Sequence, residues 1–251
     1  MLFASTVFSQ NGSLSFEGEK HLKNIKQLTF GGENAEAYFS SDGKKLIFQS
    51  KRDGNGCDQI YTMNIDGSDV KMVSTGKGRT TCSFFYKSLK KIVYSSTHLG
   101  SEACPPNPDF SKGYVWPIYA SFDVFRAKPD GSGVKRLTKT PGYDAEATVS
   151  PQGDKIVFTS TRSGDLELYT MNIDGSDVKQ ITYELGYDGG AFFSPDGTKL
   201  IFRSSRPKTK EEIKENMDYY TSFPDQMEDI YMQVVHRLSE MQTMIKGVEE
   251  E

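Results

Sequence analysis

The chain has 251 residues, 36% of them hydrophobic and 12% aromatic, and a formal charge of −4. That length holds one large β domain or two small ones, and a net negative charge argues against nucleic acid as the main partner, because phosphate contacts need a basic face. No run of residues approaches the roughly 20 apolar positions of a membrane span.

Met1 to Gln10 is apolar and ends in small and polar residues, like the back half of a secretory signal cut after Ser9, although it lacks the positively charged start of one. Residues 1–20 are therefore read as a signal-like or disordered N-terminus. Beyond them two short phrases alternate. Phe39-Ser40-Ser41-Asp42-Gly43-Lys44-Lys45-Leu46-Ile47-Phe48 returns at Val149 to Phe158 and again at Phe193 to Phe202. The second phrase, Ile60 to Lys71, returns at Val124 to Lys135 and at Leu168 to Lys179. Gly153 to Gly197 and Gly131 to Gly175 each span 44 residues. Each period holds four short runs rich in β-branched and aromatic residues, bounded by Gly, Pro, Asn and Asp, which read as strands. The Asp-Gly pairs supply the positive φ that tight hairpins require. Four antiparallel strands per period with no intervening helix describe a β-propeller blade, which buries its apolar faces only by stacking on neighbours.

Counted along the chain, Ile25-Lys26-Gln27-Leu28-Thr29 matches the last strand of a blade and is expected to enter as an orphan fourth strand. Full blades follow over about residues 33–75, 78–138 and 143–182. In the second, the Asp-Gly turn is replaced by Ser88-Leu89. A fourth blade opens at Gly190-Ala191-Phe192-Phe193 and loses the pattern after Arg206. The expected fold is thus an all-β propeller of four-stranded antiparallel blades over residues 21–206, three of them full with a partial fourth. The ring is expected to be incomplete, because a closed one typically takes four to eight blades, unless residues 228–234 supply the fourth blade's third strand.

Residues 207–251 are different material. Met227, Ile230, Tyr231, Val234, Val235, Leu238, Met241 and Ile245 fall at helical spacing, which predicts a C-terminal amphipathic helix. A competing reading takes Glu228 to Gln233 as a decayed third strand, like Leu166 to Met171.

Strand order places both Asp-Gly hairpins of every blade on one face, and the loops between second and third strands, with the blade-to-blade crossings, on the other. Length variation falls on that second face, at His98 to Ala120 in blade two and from Pro207 in blade four; insertions confined to one face of a repeat array mark a binding face. The crossings bring Glu36, Asp144, Glu146 and Asp188, with Arg79 among them, toward the channel mouth. There they either hold a cation or basic peptide or bond the crossing turns. The blade-two insertion carries Tyr114 and the only tryptophan, Trp116, among four of the ten prolines, which suits either a stiff recognition loop or a lid over the channel. Arg52, Arg162 and Arg206 recur after the second strand, and recurrence points to a bond inside the blade. Of three cysteines, Cys82 and Cys104 share a blade and could pair in an exported protein, leaving Cys57 free; three unpaired thiols are the alternative.

No catalytic signature emerges. His21, His98 and His236 have no nucleophile at motif spacing, there is no GxSxG, and the Asn-Ile-Asp-Gly-Ser-Asp turns lack the glutamate and flanking helices of a calcium loop. No cofactor or metal is expected.

The alternation of Phe193 to Phe202 with the Tyr-x-Met-Asn-x-Asp-Gly-Ser strand and Val-Lys-x-Leu-Thr resembles the TolB-like β-propeller family with its WD-like repeats, over about residues 22–206. The resemblance implies a periplasmic or otherwise exported protein of bacterial envelope type. It also implies a six-bladed propeller scaffold that binds other proteins and is not an enzyme. The chain departs from that pattern in having fewer blades and no N-terminal α/β domain. The expected partner is a protein or peptide on the channel-mouth and insertion face, with self-association through an open blade edge as a further outcome. Two other readings are the gating propeller of a prolyl-oligopeptidase-type or tricorn-type peptidase lacking its catalytic domain, and a propeller sugar lyase using channel-mouth histidines.

Overall fold

A computed structural model describes residues 18–108, 111 and 116–214. The chain divides into two compact units, Met1–Gly31 and Gly32–Glu251. In the described part of the first, the carboxylate of Glu19 accepts from the backbone N–H groups of His21 and Leu22 at 2.6 and 3.0 Å. The segment expected as an orphan strand, residues 25–29, forms no strand. It has the composition of a fourth strand, but a fourth strand of two residues, as seen in the complete blades below, offers little pairing to fix one.

The second unit is all β. Its first sheet is β1 (Glu33–Phe39), β2 (Lys45–Lys51), β3 (Gln59–Asn64) and β4 (Lys71–Met72), paired antiparallel in that order. The second is β5 (Thr80–Phe85), β6 (Ile92–Ser96), β7 (Asp123–Ala127) and β8 (Lys135–Arg136). The third is β9 (Asp144–Val149), β10 (Lys155–Ser160), β11 (Glu167–Asn172) and β12 (Lys179–Gln180). β13 (Asp188–Phe193) and β14 (Leu200–Ser204) make a two-stranded fourth sheet. These are the three blades and the part of a fourth that the repeats predict. Residues 210–214 are helical, with the Ile213 N–H bonded to the Thr209 carbonyl; the expected amphipathic helix beyond residue 227 lies outside the described residues.

Burial follows from stacking. The middle strands are covered on both faces, so they read as unbroken apolar runs and not as alternating ones. Ile47, Ile60 and Val73 of the first sheet meet Phe85, Ile92, Tyr94 and Phe125 of the second. Val93 and Val124 point the other way, against Ile156, Phe158, Tyr169 and Met171 of the third. Val157 and Leu168 then meet Ala191 of the fourth. Each such side chain contributes about 1.5–3 kcal/mol on leaving water, and period-two alternation distributes them between two neighbours.

The hairpins hold the blades in register. In the three Asp-Gly or Gln-Gly turns between first and second strands, the glycine N–H donates to the carbonyl of Ser40, Ser150 or Ser194 at 2.8–2.9 Å. Where blade two has Ser88-Leu89, Leu89 takes the glycine's conformation (φ 55°) and donates to the Tyr86 carbonyl, so the turn geometry is kept at a cost of about 1–2 kcal/mol of backbone strain.

Candidate functional site

The innermost strands β1, β5, β9 and β13 each break register with β2, β6, β10 and β14 at one bulge. The residues at those bulges, Glu36, Cys82, Glu146 and Gly190, all have φ between 50° and 61°. A bulge re-aims side chains, and these four positions face the middle of the array. Glu36 and Glu146 come within electrostatic reach of each other beside the Cys82 thiol. Burial first, then those two carboxylates, push the thiol well above its ordinary range. Burial likewise raises Glu36, with the Cys82 thiol opposing and Glu146 adding to the rise. Glu146 is held from the next blade and from its own: it accepts from the Tyr187 hydroxyl at 2.9 and 3.0 Å and the Gly190 N–H at 2.8 Å across the blade boundary, and from the Thr159 hydroxyl of β10 at 2.7 Å. Sequence reasoning missed the bulge; Gly190 at the third place of its crossing was the available sign that the position needs φ above zero.

Two residues further along the same strands lies an aromatic layer. The Tyr38 ring is 5.5 Å from both Phe84 and Phe192, and Phe84 is 6.2 Å from Phe192. Rings from blades one, two and four thus meet across the centre, so the channel is filled at this level.

Asp144 and Asp188 are placed differently from Glu36 and Glu146. Asp144 accepts from Arg162 Nη2 at 2.9 and 3.0 Å, and Asp188 lies 2.7 and 2.8 Å from the Arg206 guanidinium. Their carboxylates are buried and bonded inside their own blades. This gives the recurring arginine its role, and the register extends it: Ser96 pairs with Thr80 as Ser160 pairs with Asp144, so His98 occupies in blade two the position of Arg162. Its Nδ1 lies 2.8 Å from Ser96 Oγ and its ring packs 4.4 Å from Phe125, as the Arg162 guanidinium lies over Phe158 and Tyr169. His98 is a blade residue and not a channel-mouth ligand. Among the described residues no group of three or more His, Cys, Asp or Glu is arranged to hold a metal ion.

The blade-two insertion folds back over the crossing face. Arg79 donates to Asn107 at 2.9 Å and lies over the Tyr119 ring, whose hydroxyl donates to the Pro106 carbonyl. Lys77 pairs with Glu102. Trp116, half-buried, reaches the buried phenol of Tyr143; Tyr114 lies outside the described residues. A disulfide joins Cys57 to Cys104, with Cα atoms 5.8 Å apart, and Cys82 is the free, buried thiol. Neither reading the sequence left open, Cys82–Cys104 or three unpaired thiols, is what the structure shows. Cys82 sits in the β5 bulge facing the centre, whereas the insertion carries Cys104 sideways to the loop before β3, in the preceding blade.

Repeated four-stranded antiparallel sheets, a bulged inner strand in each and insertions on one face define the architecture as a β-propeller. Residues 120–233 match the family described as the TolB beta propeller domain. The chain is 46% identical over 39 residues to the Tol-Pal system protein TolB of Bordetella pertussis, which is 16% of this chain and 9% of that protein. It is 27% identical over 122 residues to an uncharacterized protein of Agrobacterium fabrum, 49% of this chain and 34% of that one. In fold it is similar to TolB from Acinetobacter baumannii (TM-score 0.56, 18% identity, 71% of this chain and 39% of that chain) and to a TolB-like structure from Agrobacterium tumefaciens (0.55, 22%, 68% and 54%). The matches span little more than half, at most, of the proteins concerned. By fold the chain is a β-propeller, and over residues 120–233 it is similar to the TolB beta propeller domain.

Proposed function

We propose that the chain is a non-enzymatic binding scaffold of the bacterial cell envelope, which takes a protein or peptide partner on its crossing face. The observation that carries this reading is the tethered insertion. A proline-stiffened arm, tied to blade one by Cys57–Cys104 and to the first crossing by Arg79–Asn107, sits on the one face where loop length varies. Pre-ordering such a surface lowers the entropy lost on binding. The disulfide supports an oxidising compartment, and the curated relatives' name connects those proteins with the Tol-Pal system. Among the described residues no helix is long and apolar enough to cross a membrane. Arg79, Glu36, Glu146 and Trp116 form the proposed docking face, with Tyr114 in the same insertion; Asp144 and Asp188, buried against Arg162 and Arg206, support it from within the blades.

The test is site-specific photo-cross-linking of the full chain in envelope fractions. A reactive residue at exposed Glu102, on the insertion, should yield a discrete protein adduct that weakens with Arg79→Ala. The same probe at exposed Ser132, on the hairpin face, should yield none. Equal adducts from both positions, or none from Glu102, would sink the reading.

A further inference from the structure

The two hairpins of blade two carry a charge that those of the other blades lack. Lys87, Lys90, Lys91, Lys128 and Lys135 stand in them against one carboxylate, Asp130, in a chain whose formal charge is −4. Strand register shows what differs. Ile92 pairs with Ala127 as Leu46 pairs with Met63 and Ile156 with Met171. Lys91 therefore stands where Lys45 and Lys155 do, Lys128 where Asn64 and Asn172 do, and Gly133 where Asp69 and Asp177 do. In blade one the Lys45 ammonium donates to Asn64 Oδ1 at 3.0 Å, and Asp69 lies 3.8 and 2.7 Å from Lys45 and Lys71. In blade three Lys155 donates to Asn172 Oδ1 at 2.7 Å, and Asp177 lies 3.3 and 3.2 Å from Lys155 and Lys179. Blade two has a further lysine in place of the amide and no side chain in place of the carboxylate. The Asp130 carboxylate is turned into its own hairpin, accepting from the Ser132 N–H at 2.9 Å, and Asp174 of blade three feels the charge of Lys135 without bonding it. None of the five lysines has an ion pair among the described residues.

We infer that this patch docks the protein on an anionic membrane, with the hairpins of blade two against phosphate headgroups and the crossing face turned away. Lys87 places the patch centrally: its carbonyl accepts from the Ser41 hydroxyl of blade one at 3.0 Å, and its Cβ stands beside Gly153 of blade three. Lys91 is half-buried and the other four lysines are exposed. The hairpins of blades one and four carry no net charge and those of blade three one excess aspartate, so the attraction is confined to blade two. Short turns spread these ammonium groups over a surface, where they act as point charges with no fixed fork geometry. That suits a fluid charged surface better than one shaped ligand. Each lysine near an anionic surface strengthens binding about fivefold. Aliphatic side chains stand at the same tips for shallow contact with the headgroup boundary: Val134 is 38% exposed, beside Ile65 and Val70 of blade one at 48% and 40%.

Sedimentation of the full chain with vesicles tests this, using phosphatidylcholine alone and phosphatidylcholine mixed in equal parts with phosphatidylglycerol. The mixed vesicles should retain the chain at low salt and release it as salt is raised; phosphatidylcholine alone should not retain it. Gly133→Asp rebuilds in blade two the bridge of blades one and three. Its φ of 66° is close to the 56° and 54° of Asp69 and Asp177, and a Cβ there meets only the Lys128 side chain, at 3.8 Å. This variant should weaken binding about fivefold or more, and Lys87→Gln with Lys128→Gln about 25-fold. Lys139→Gln, an equal loss of charge at an exposed site in the crossing to blade three, should change it by less than about twofold. Equal weakening by Gly133→Asp and Lys139→Gln would reduce the effect to net charge and overturn the inference, as would failure of the mixed vesicles to retain the unmodified chain. Release by inorganic phosphate at constant ionic strength would assign the lysines to a single phosphate group. Retention on immobilised polyglutamate without retention on vesicles would assign them to an acidic protein. Either result overturns membrane docking.

Discussion

Arg162 grips both carboxylate oxygens of Asp144, at 2.9 and 3.0 Å, while its guanidinium lies 5.0 Å from the centre of the Tyr169 ring. One residue after the second strand thus ties the first strand to the third. The Asp144 side chain is 1% exposed, so the pair is a buried one and removing either half leaves a charge without its counterpart. Arg162→Leu should cost about 3 kcal/mol of stability. Adding Asp144→Asn to it should recover part of that loss, because the uncompensated carboxylate goes with it. Urea unfolding of the single and double variants measures both; a double variant as unstable as the sum of the singles contradicts the pairing.

The Cys57–Cys104 bond closes a loop of 47 residues between blades one and two. A bridge over a loop of this size contributes about 2–4 kcal/mol. Cys104→Ser should lower stability by that amount under non-reducing conditions and make the protein insensitive to added reductant. Cys82→Ala should leave the reductant sensitivity intact.

Gly175 and Gly43 both sit at positive φ, +93° and +67°, but in different surroundings. A Cβ on Gly175 would lie 2.8 Å from the Leu137 carbonyl oxygen of the preceding blade, whereas nothing stands within 4 Å of one on Gly43. Gly43→Ala should cost about 1 kcal/mol from backbone strain alone. Gly175→Ala should cost at least about 1 kcal/mol more, since backbone of two stacked blades must separate. Paired melting curves decide it.

Phe192 joins the aromatic layer from the far end of the array. Phe192→Ala should destabilise by about 2 kcal/mol, part from lost burial and part from the ring contacts. In a cycle with Tyr38→Ala, a coupling of about 0.5–1.5 kcal/mol is expected. Independent, additive effects would mean that blades one and four do not meet in solution.

Glu36 is held above its ordinary value of 4.5, chiefly by burial. A carboxyl whose folded value is raised favours the folded state while protonated. Its contribution is fully present below about 4.5 and is lost as pH rises through the folded value. Glu36→Gln should therefore be neutral or stabilising at pH 7, and should flatten the fall in stability above pH 4.5. An unchanged pH profile would place Glu36 in water.

Much of this was legible in the residues. The alternation of two phrases, with Asp-Gly turns and β-branched runs, specifies blades because each period offers four strands and two tight hairpins and nothing else. The recurrence of Arg52, Arg162 and Arg206 at one offset announced a bond inside the blade. The bulge was not legible: Glu36, Cys82 and Glu146 adopt a conformation their side chains do not favour, imposed by register within the blade and packing at the centre. Nor was His98's kinship with the arginines, because aligning it requires the strand pairing of β5 with β6.

The sequence alone determined blade number, strand order and which face carries the insertions, since these rest on local turn chemistry and period-two burial repeated along the chain. Only the tertiary structure decided that Cys57 and not Cys82 meets Cys104, that Asp144 and Asp188 are consumed by arginines while Glu36 and Glu146 come within electrostatic reach of each other, and that rings from blades one, two and four fill the centre. The disulfide and the central contacts join residues tens to over a hundred positions apart and follow from how far each blade is turned against the next, whereas the Asp–Arg pairs, 18 positions apart, follow from strand register within a blade.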